Sequence, residues 1–445
     1  MPLTVLFVPE SAYGPTNQCI GLGKVLLDRG HTVVFAAERS WEGKLAPFGF
    51  VEALVDLAPP AADPGALAPP GEGLGKDAAG QFWIDFINET APEFRKPTIE
   101  QLETFVAPTY QALIDGARYC EAQLKAIIAE HRPDVLVEDN VIAFPALTTA
   151  AGAFVRIVSC NPLEVRGTDV APAFAGYAAD DRSQWDAFLA EFDRTHQPMW
   201  AEFNEWVQAQ GARPLAERDY IETSTHANLY VYPAELDYTD ARPLDSTWHR
   251  LDSSVRETDD AYELPARFAS RGPDEALVYL SLGSLGSADV GLMQRLIDVL
   301  ATTRHKVIVS LGPRADDLKL GPNMVGAAML PQTTIIPQVD LVITHGGNNT
   351  TTECMHFGKP MILLPLFWDQ YDNAQRVHER GYGIRLSTYG FADDELTEAV
   401  DRLFTDTALR TKLDAVGAAI RGRDGLRTGA DVIERVGLDH VAARG

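Results

Sequence analysis

Thr344-His345-Gly346-Gly347-Asn348-Asn349-Thr350-Thr351-Thr352-Glu353 joins a mostly apolar run, Val339–Ile343, to a helical pattern that opens at Asn349 or Thr350. Glycines at a strand exit let the backbone approach an anion closely. The N–H groups of the following helix then point at that anion, and the helix dipole favours it. His345 and the Thr350 hydroxyl add donors, and Glu353, one turn on, can accept from a diol such as a ribose. Beyond the next strand, Met361–Leu364, the chain reads Pro365-Leu366-Phe367-Trp368-Asp369-Gln370, which sets Asp369 and Gln370 on the same rim of the sheet. A carboxylate beside an amide suits adjacent sugar hydroxyls. The groups follow in the order phosphate, ribose, hexose.

The stretch resembles the donor-site signature of the family 1 nucleotide-sugar-dependent glycosyltransferases, the UDP-glycosyltransferase superfamily, in its bacterial natural-product and xenobiotic type. That signature runs from a Trp or its substitute with Pro-Gln, through His-x-Gly-x-Asn and a Glu, to an acid followed by Gln. The matching residues are Pro331-Gln332, His345 to Thr350 with Gly347 and Asn349, Glu353, and Asp369-Gln370. They cover the C-terminal half, whereas the N-terminal half resembles the family only in layout. The resemblance implies the GT-B fold, two Rossmann-like parallel-sheet domains facing across a cleft. It also makes Gln332 the reader of the nucleoside. Met329 stands where many relatives stack a Trp on the base, and a thioether can still contact a ring face. Gly283-Ser284 resembles the family's first phosphate loop, with a plain strand-to-helix turn as the other reading. Alone, His345 would read as a capped loop histidine, Asn349 and Thr350 as N-caps, and Glu353 as a capping-box partner.

Bulk composition bounds the alternatives. A chain of 445 residues is too long for one ordinary core. Apolar content of 46% and charged content of 23% are those of a soluble globular protein, and the α/β class is expected from the strand and helix alternation below. A formal charge of −25 argues against nucleic acid or an anionic membrane as partner. Cys19, Cys120, Cys160 and Cys354 lack paired spacing, which suggests a reducing compartment and no zinc site. The N-terminus runs straight into a strand without a basic leader, and no apolar run approaches the ~20 residues of a membrane span. A cytoplasmic protein is expected.

Strand and helix patterns alternate twice, which implies parallel sheets covered by helices. In the first half they are a strand at Leu3–Val8, a helix at Asn17–Arg29, strands at Thr32–Ala36, Val135–Glu138 and Val155–Val158, and a last strand at Asn228–Tyr232. A loop is expected at Ala58–Lys76, helix through Thr98–Glu130 and near Phe144–Ala151, and a helical insertion at Gln184–Gln210; Pro162–Ser183 lacks periodicity. In the second half strands are expected at Ala276–Leu280, Lys306–Ser310, Leu341–Ile343 and Met361–Leu364, with a helix at Leu292–Ala301. These set an N-terminal acceptor-binding domain at 1–235, a connector at 236–272 and a C-terminal donor domain at 273–445. Relatives carry a final helix that crosses back onto the N-terminal domain, and residues after about Gly417 could supply it.

The base is where the match breaks. In most relatives a His sits two residues before Asn17, but here that slot holds Pro15. Asp139, matching the acid that stands behind that His in the family, is the first candidate base, with Glu10 and Glu138 as substitutes; a carboxylate near an apolar cleft can have its pKa raised into range. The bland reading of Asp139 is a helix N-cap and that of Glu10 a solvated loop charge. Phe82, Trp83 and Phe86 could line an acceptor pocket, though helical spacing favours core. With no Asp-x-Asp triplet in the donor region, no metal and no cofactor are expected, the nucleotide sugar being a substrate. The resulting expectation is an inverting, metal-independent transfer of a hexose, glucose first, from UDP-sugar to a hydroxyl of a small lipophilic acceptor such as a polyphenol, macrolide, ansamycin or sterol. The alternatives are a nucleotide-sugar epimerase on the same fold and a catalytically silent nucleotide-sugar-binding protein.

Overall fold

The computed structural model describes residues 1–11, 13–58 and 89–444. Most of the expected loop at Ala58–Lys76, and Phe82, Trp83 and Phe86, lie outside the described residues. Seven parallel strands form the first sheet: β1 Thr4–Pro9, β2 Thr32–Phe35, β3 Val51–Glu52, β4 Val135–Asp139, β5 Ala153–Val158, β6 Ala227–Tyr230 and β7 Trp248–Arg250, in the order β3-β2-β1-β4-β5-β6-β7. Six more form the second: β8 Leu277–Ser281, β9 Lys306–Ser310, β10 Met324–Ala327, β11 Leu341–Thr344, β12 Met361–Leu363 and β13 Gly383–Arg385, in the order β10-β9-β8-β11-β12-β13. The central strands are buried on both faces and largely apolar, as parallel strands under helices must be, with Glu138 and Asp139 at the end of β4 as charged exceptions. Both sheets reverse strand order beside their first strand, so the crevices at β1/β4 and at β8/β11 open at the carboxyl ends, where ligands bind in such sheets.

One expectation needs correction. β6 is not the last strand of its half, because Trp248–Arg250, inside the expected connector, pairs with it in parallel. The stretch expected to be largely helical, Thr98–Glu130, is helical as read, with the α geometry of Thr98–Gln101 broken by a π turn at Leu102–Val106 before the regular helix Ala107–His131. Pro108 has no N–H for the i−4 bond, which accounts for the break. The helix Gly425–Ala442 crosses back onto the first sheet. Its Ala430, Ile433 and Val436 join Leu3, Val5, Phe7 and Val135 in one buried cluster. Approach is close enough there that a Cβ on Gly437 would stand 2.6 Å from Val135. Among the described residues no helix is long and apolar enough to cross a membrane.

Polar contacts stitch the cleft between the sheets. Asn348 Nδ2 donates to the carbonyls of Ser159 (2.7 Å) and Val231 (2.9 Å). Asp372 accepts from the backbone N–H groups of Phe174 (2.6 Å) and Gly176 (2.8 Å), and Asn161 N–H donates to Asp369 Oδ2 at 2.8 Å.

Candidate active site

The helix Asn348–Phe357 starts at Gly347, with no side chain capping its first N–H groups. Those groups stay open to an outside acceptor. His345 is clamped between two glycines at that mouth. A Cβ on Gly283, whose φ is +73°, would lie 2.8 Å from His345 Cε1, and one on Gly347 would lie 2.6 Å from Nε2. Nδ1 shares a hydrogen bond with Thr344 Oγ1 at 3.3 Å. Burial pushes the imidazole down to about 4, so it acts at neutral pH as a neutral hydrogen-bonding group. The clamp brings Gly283 and the exposed Ser284 to the same mouth as Gly347.

Glu353 lies one turn deeper, buried. Gln332 Nε2 donates to its Oε2 at 2.6 Å and to Thr350 Oγ1 at 3.1 Å. Burial raises the Glu353 carboxyl, while Arg256 and the Gln332 bond oppose the rise. Arg256 Nη1 stands 3.7 Å from Glu353 Oε1, and its guanidinium is paired in turn with Asp259. Sequence reading missed Arg256, which lies within the expected connector. Met329 is 72% exposed at this end of the site, open to a flat ligand.

Asn349 departs from its expected role. Its Nδ2 donates to the Gly14 carbonyl (2.9 Å) and its Oδ1 accepts from Gln18, so both polar atoms face the first half of the chain rather than an anion. Asp369 Oδ2 holds Asn161 N–H and Asn373 Nδ2 (3.2 Å), leaving Oδ1 for a ligand. Gln370 Oε1 accepts from the N–H groups of Leu366 (3.0 Å) and Phe367 (3.3 Å), which leaves its Nε2 to donate outward.

The carboxylates expected as bases separate sharply. Successive residues of a strand point to opposite faces, and β4 therefore sends Glu138 and Asp139 apart. Glu138 is withdrawn into a buried ion pair, 3.0 Å from Arg156 Nη2, which also contacts Glu222 at 2.6 Å. Breaking such a pair costs about 3–5 kcal/mol, so Glu138 is a structural group and not a base. Asp139 is 2% exposed. Burial pushes it up to about 7, against hydrogen bonds from Ser159 that pull the other way. Glu10 is half-buried beside it; its backbone N–H donates to the Asp139 carbonyl at 2.7 Å, and Ser11 Oγ donates to its Oε1 at 3.0 Å. Pro15 lies in the first turn of the helix Tyr13–Asp28.

Glu164 is a further acid that sequence reading missed. It follows β5 in the 3-10 turn Pro162–Glu164, and the Asn161-Pro162 pair, an N-cap with Pro after it, was the available signal. Burial, then the charge of Asp369, pushes Glu164 up to about 8.

These shifts make a pH prediction. Asp139, Glu164, Asp369 and Asp372 are raised by burial to about 7, 8, 6 and 7. The folded chain therefore holds protons that the unfolded chain has released, which lowers stability as pH rises through that window. His196, His345 and His356, pushed down to about 4 by burial, act in the opposite sense only up to their unfolded value of about 6.5. Between about pH 6.5 and 8 the carboxyl groups act alone, and the melting temperature is expected to fall. A melting series that is flat or rising across that interval contradicts these assignments.

Residues 294–420 match the family model of the erythromycin biosynthesis protein CIII-like C-terminal domain. The two parallel sheets match glycosyltransferase structures of GT-B fold. The chain is similar to the oleandomycin glycosyltransferase of Streptomyces antibioticus, 23% identical over 97% of this chain and 90% of that one. Among solved structures, the glycotransferase of kitacinnamycin is 22% identical with a TM-score of 0.70, covering 98% of this chain and 99% of the other. Glycosyltransferase VinC in complex with dTDP is 16% identical with a TM-score of 0.61, covering 98% and 100%. Fungal sterol 3-beta-glucosyltransferases, such as that of Pichia angusta at 29% identity over 46% of this chain, also match, but the chain spans only 17–28% of their length.

Proposed function

We propose that this chain transfers a hexose from a nucleoside diphosphate sugar to a hydroxyl of a small lipophilic acceptor, with inversion at the anomeric carbon. The observation that carries the reading is the seat of His345 between Gly283 and Gly347 at an uncapped helix N-terminus, with Glu353 and Asp369 following along one rim. In this reading the diphosphate meets the helix N–H groups, Ser284 and His345. The ribose meets Glu353 and Thr350, the base lies towards Gln332 and Met329, and Asp369 and Gln370 hold the sugar. Leaving-group charge is stabilised by donors fixed in advance, where such stabilisation is strongest. Donor binding is assigned to residues 273–445 and acceptor binding to 1–235.

UDP-glucose is the first donor to test, in keeping with the glucosyltransferases among the relatives. A dTDP-sugar is the second, favoured by the nucleotide bound to VinC. The acceptor is sought among macrolides, sterols, polyphenols and ansamycins. The test is turnover of each labelled donor with and without that panel. Transfer to a hydroxylated acceptor supports the reading; epimerised nucleotide sugar or nucleotide binding without turnover replaces it. The diphosphate contacts named are all to N–H, hydroxyl and imidazole groups, so activity is expected to survive excess chelator after dialysis. Loss under chelator, restored by manganese or magnesium, contradicts that assignment.

A further inference from the structure

Pro15 leaves the transfer reaction without the family's histidine, and the described carboxylates differ in what they can reach. Glu138 is locked to Arg156, and Asp139 is buried and takes hydrogen bonds from Ser159. Glu164 is half-buried and sits beside Asp369. Trp368 immediately precedes Asp369 and takes a left-handed backbone, φ 55°. For a non-glycine residue that conformation costs roughly 1–2 kcal/mol. Strain of this kind collects where the surrounding structure enforces a needed geometry. Here it lays the indole against Phe174 and Tyr110, with ring centroids 4.6 and 5.1 Å away, and points Nε1–H at Glu164 Oε1, 3.2 Å away. An indole N–H only donates. It therefore fixes one carboxyl oxygen, while the other is not taken by the indole. The Cys160 thiol lies alongside, and Asp139 and Asp369 add negative charge close by.

We propose that Glu164 is the proton acceptor of the reaction, with Trp368 and Asp139 as positioning residues; this rests on the transfer reading above. The acceptor hydroxyl loses its proton to Glu164 as its oxygen bonds to the anomeric carbon. The bond from that carbon to the diphosphate breaks in the same step, and its electron pair leaves with the nucleoside diphosphate. Strand β5 supplies the turn that carries the base, while the neighbouring acid, Asp369, holds the sugar. One end of the site thus binds with one carboxylate and deprotonates with the next. Asp139 acts through its charge. Removing it makes Glu164 easier to ionise.

The test compares the wild-type chain with Glu164→Gln, Glu164→Asp and Asp139→Asn, using UDP-glucose and dTDP-glucose with an aliphatic alcohol and a phenol as acceptors. Calorimetry with UDP and dTDP reports donor-site integrity in each variant. A positioned base contributes typically about 10²–10⁴-fold, so Glu164→Gln should lower kcat by that factor on the alcohol, and by less on the more acidic phenol. Nucleotide affinity should stay within about twofold, and Glu164→Asp should recover part of the rate. Asp139→Asn should move the acid limb of the pH–rate profile to lower pH, which a merely structural role would not do. A near-normal rate on the alcohol in Glu164→Gln overturns the proposal, as does an acid limb that persists unchanged in that variant. A wild-type chain that transfers from neither donor overturns the transfer reading itself, and the base assignment with it.

Discussion

Replacing Asp369 should abolish most sugar transfer while leaving nucleotide binding almost untouched. Its Oδ2 is engaged by Asn161 N–H and Asn373 Nδ2, and Oδ1 is the atom left for sugar hydroxyls. Hydrogen bonds to a charged group contribute about 1.5–3 kcal/mol each. Loss of two such bonds to adjacent hydroxyls lowers the rate by about 10²–10⁴-fold. Asp369→Ala also strands Asn161 N–H in a buried position. Asp369→Asn is the cleaner variant, because its oxygen can still face Asn161 while an NH₂ replaces the acceptor at the sugar. Both variants should keep UDP or dTDP inhibition near the wild-type value. Equal losses of turnover and nucleotide affinity would move Asp369 from the sugar to the nucleotide.

Gly283→Ala should damage nucleotide binding at least as severely as His345→Ala. The substitution strains a backbone at φ +73° and drives a methyl group into the imidazole, 2.8 Å from Cε1. His345→Ala alone removes a hydrogen bond to a charged phosphate, about 1.5–3 kcal/mol. With the ring gone the added methyl has room and only the backbone strain remains, so the double variant should lose less nucleotide affinity than the two single losses summed. This non-additivity is the signature of two residues in contact. Calorimetric losses that simply add would show that Gly283 and His345 act independently, and unchanged UDP and dTDP affinity in His345→Ala would remove the ring from the phosphate site.

The donor side was legible because its signals are local. An apolar strand, two glycines and a helix start occupy one run from Leu341 to Glu353, and the backbone alone sets their relation. The short edge strands β10 and β13 were not legible, since their half-exposed residues lack a buried run. Asn349 reads as an anion-facing cap because its residue type and position fit one. Its partner Gly14 is 335 residues away and is supplied by packing. Arg256 and Glu164 escape for the same reason. One reaches Glu353 and the other Trp368 across folded distances that no spacing encodes. Glu138 and Asp139 show the limit from the other side. Strand alternation implies that they diverge, and only the position of Arg156 shows which of the two is sequestered.

The helix Gly425–Ala442 has a consequence for biosynthesis. Its Ala430, Ile433 and Val436 complete a core that begins with Leu3, Val5 and Phe7. Domains generally fold as units, the N-terminal one first, while the chain is still being made. Here the first sheet emerges from the ribosome with part of one face bare, and its first strand waits for about 400 further residues before the cover arrives. At a translation pace of about 5–20 residues per second, that interval lasts roughly 20–80 seconds. Throughout it the apolar face is open to chaperones or to another nascent chain, so the yield of this protein should depend on how quickly the helix Gly425–Ala442 is made and docks.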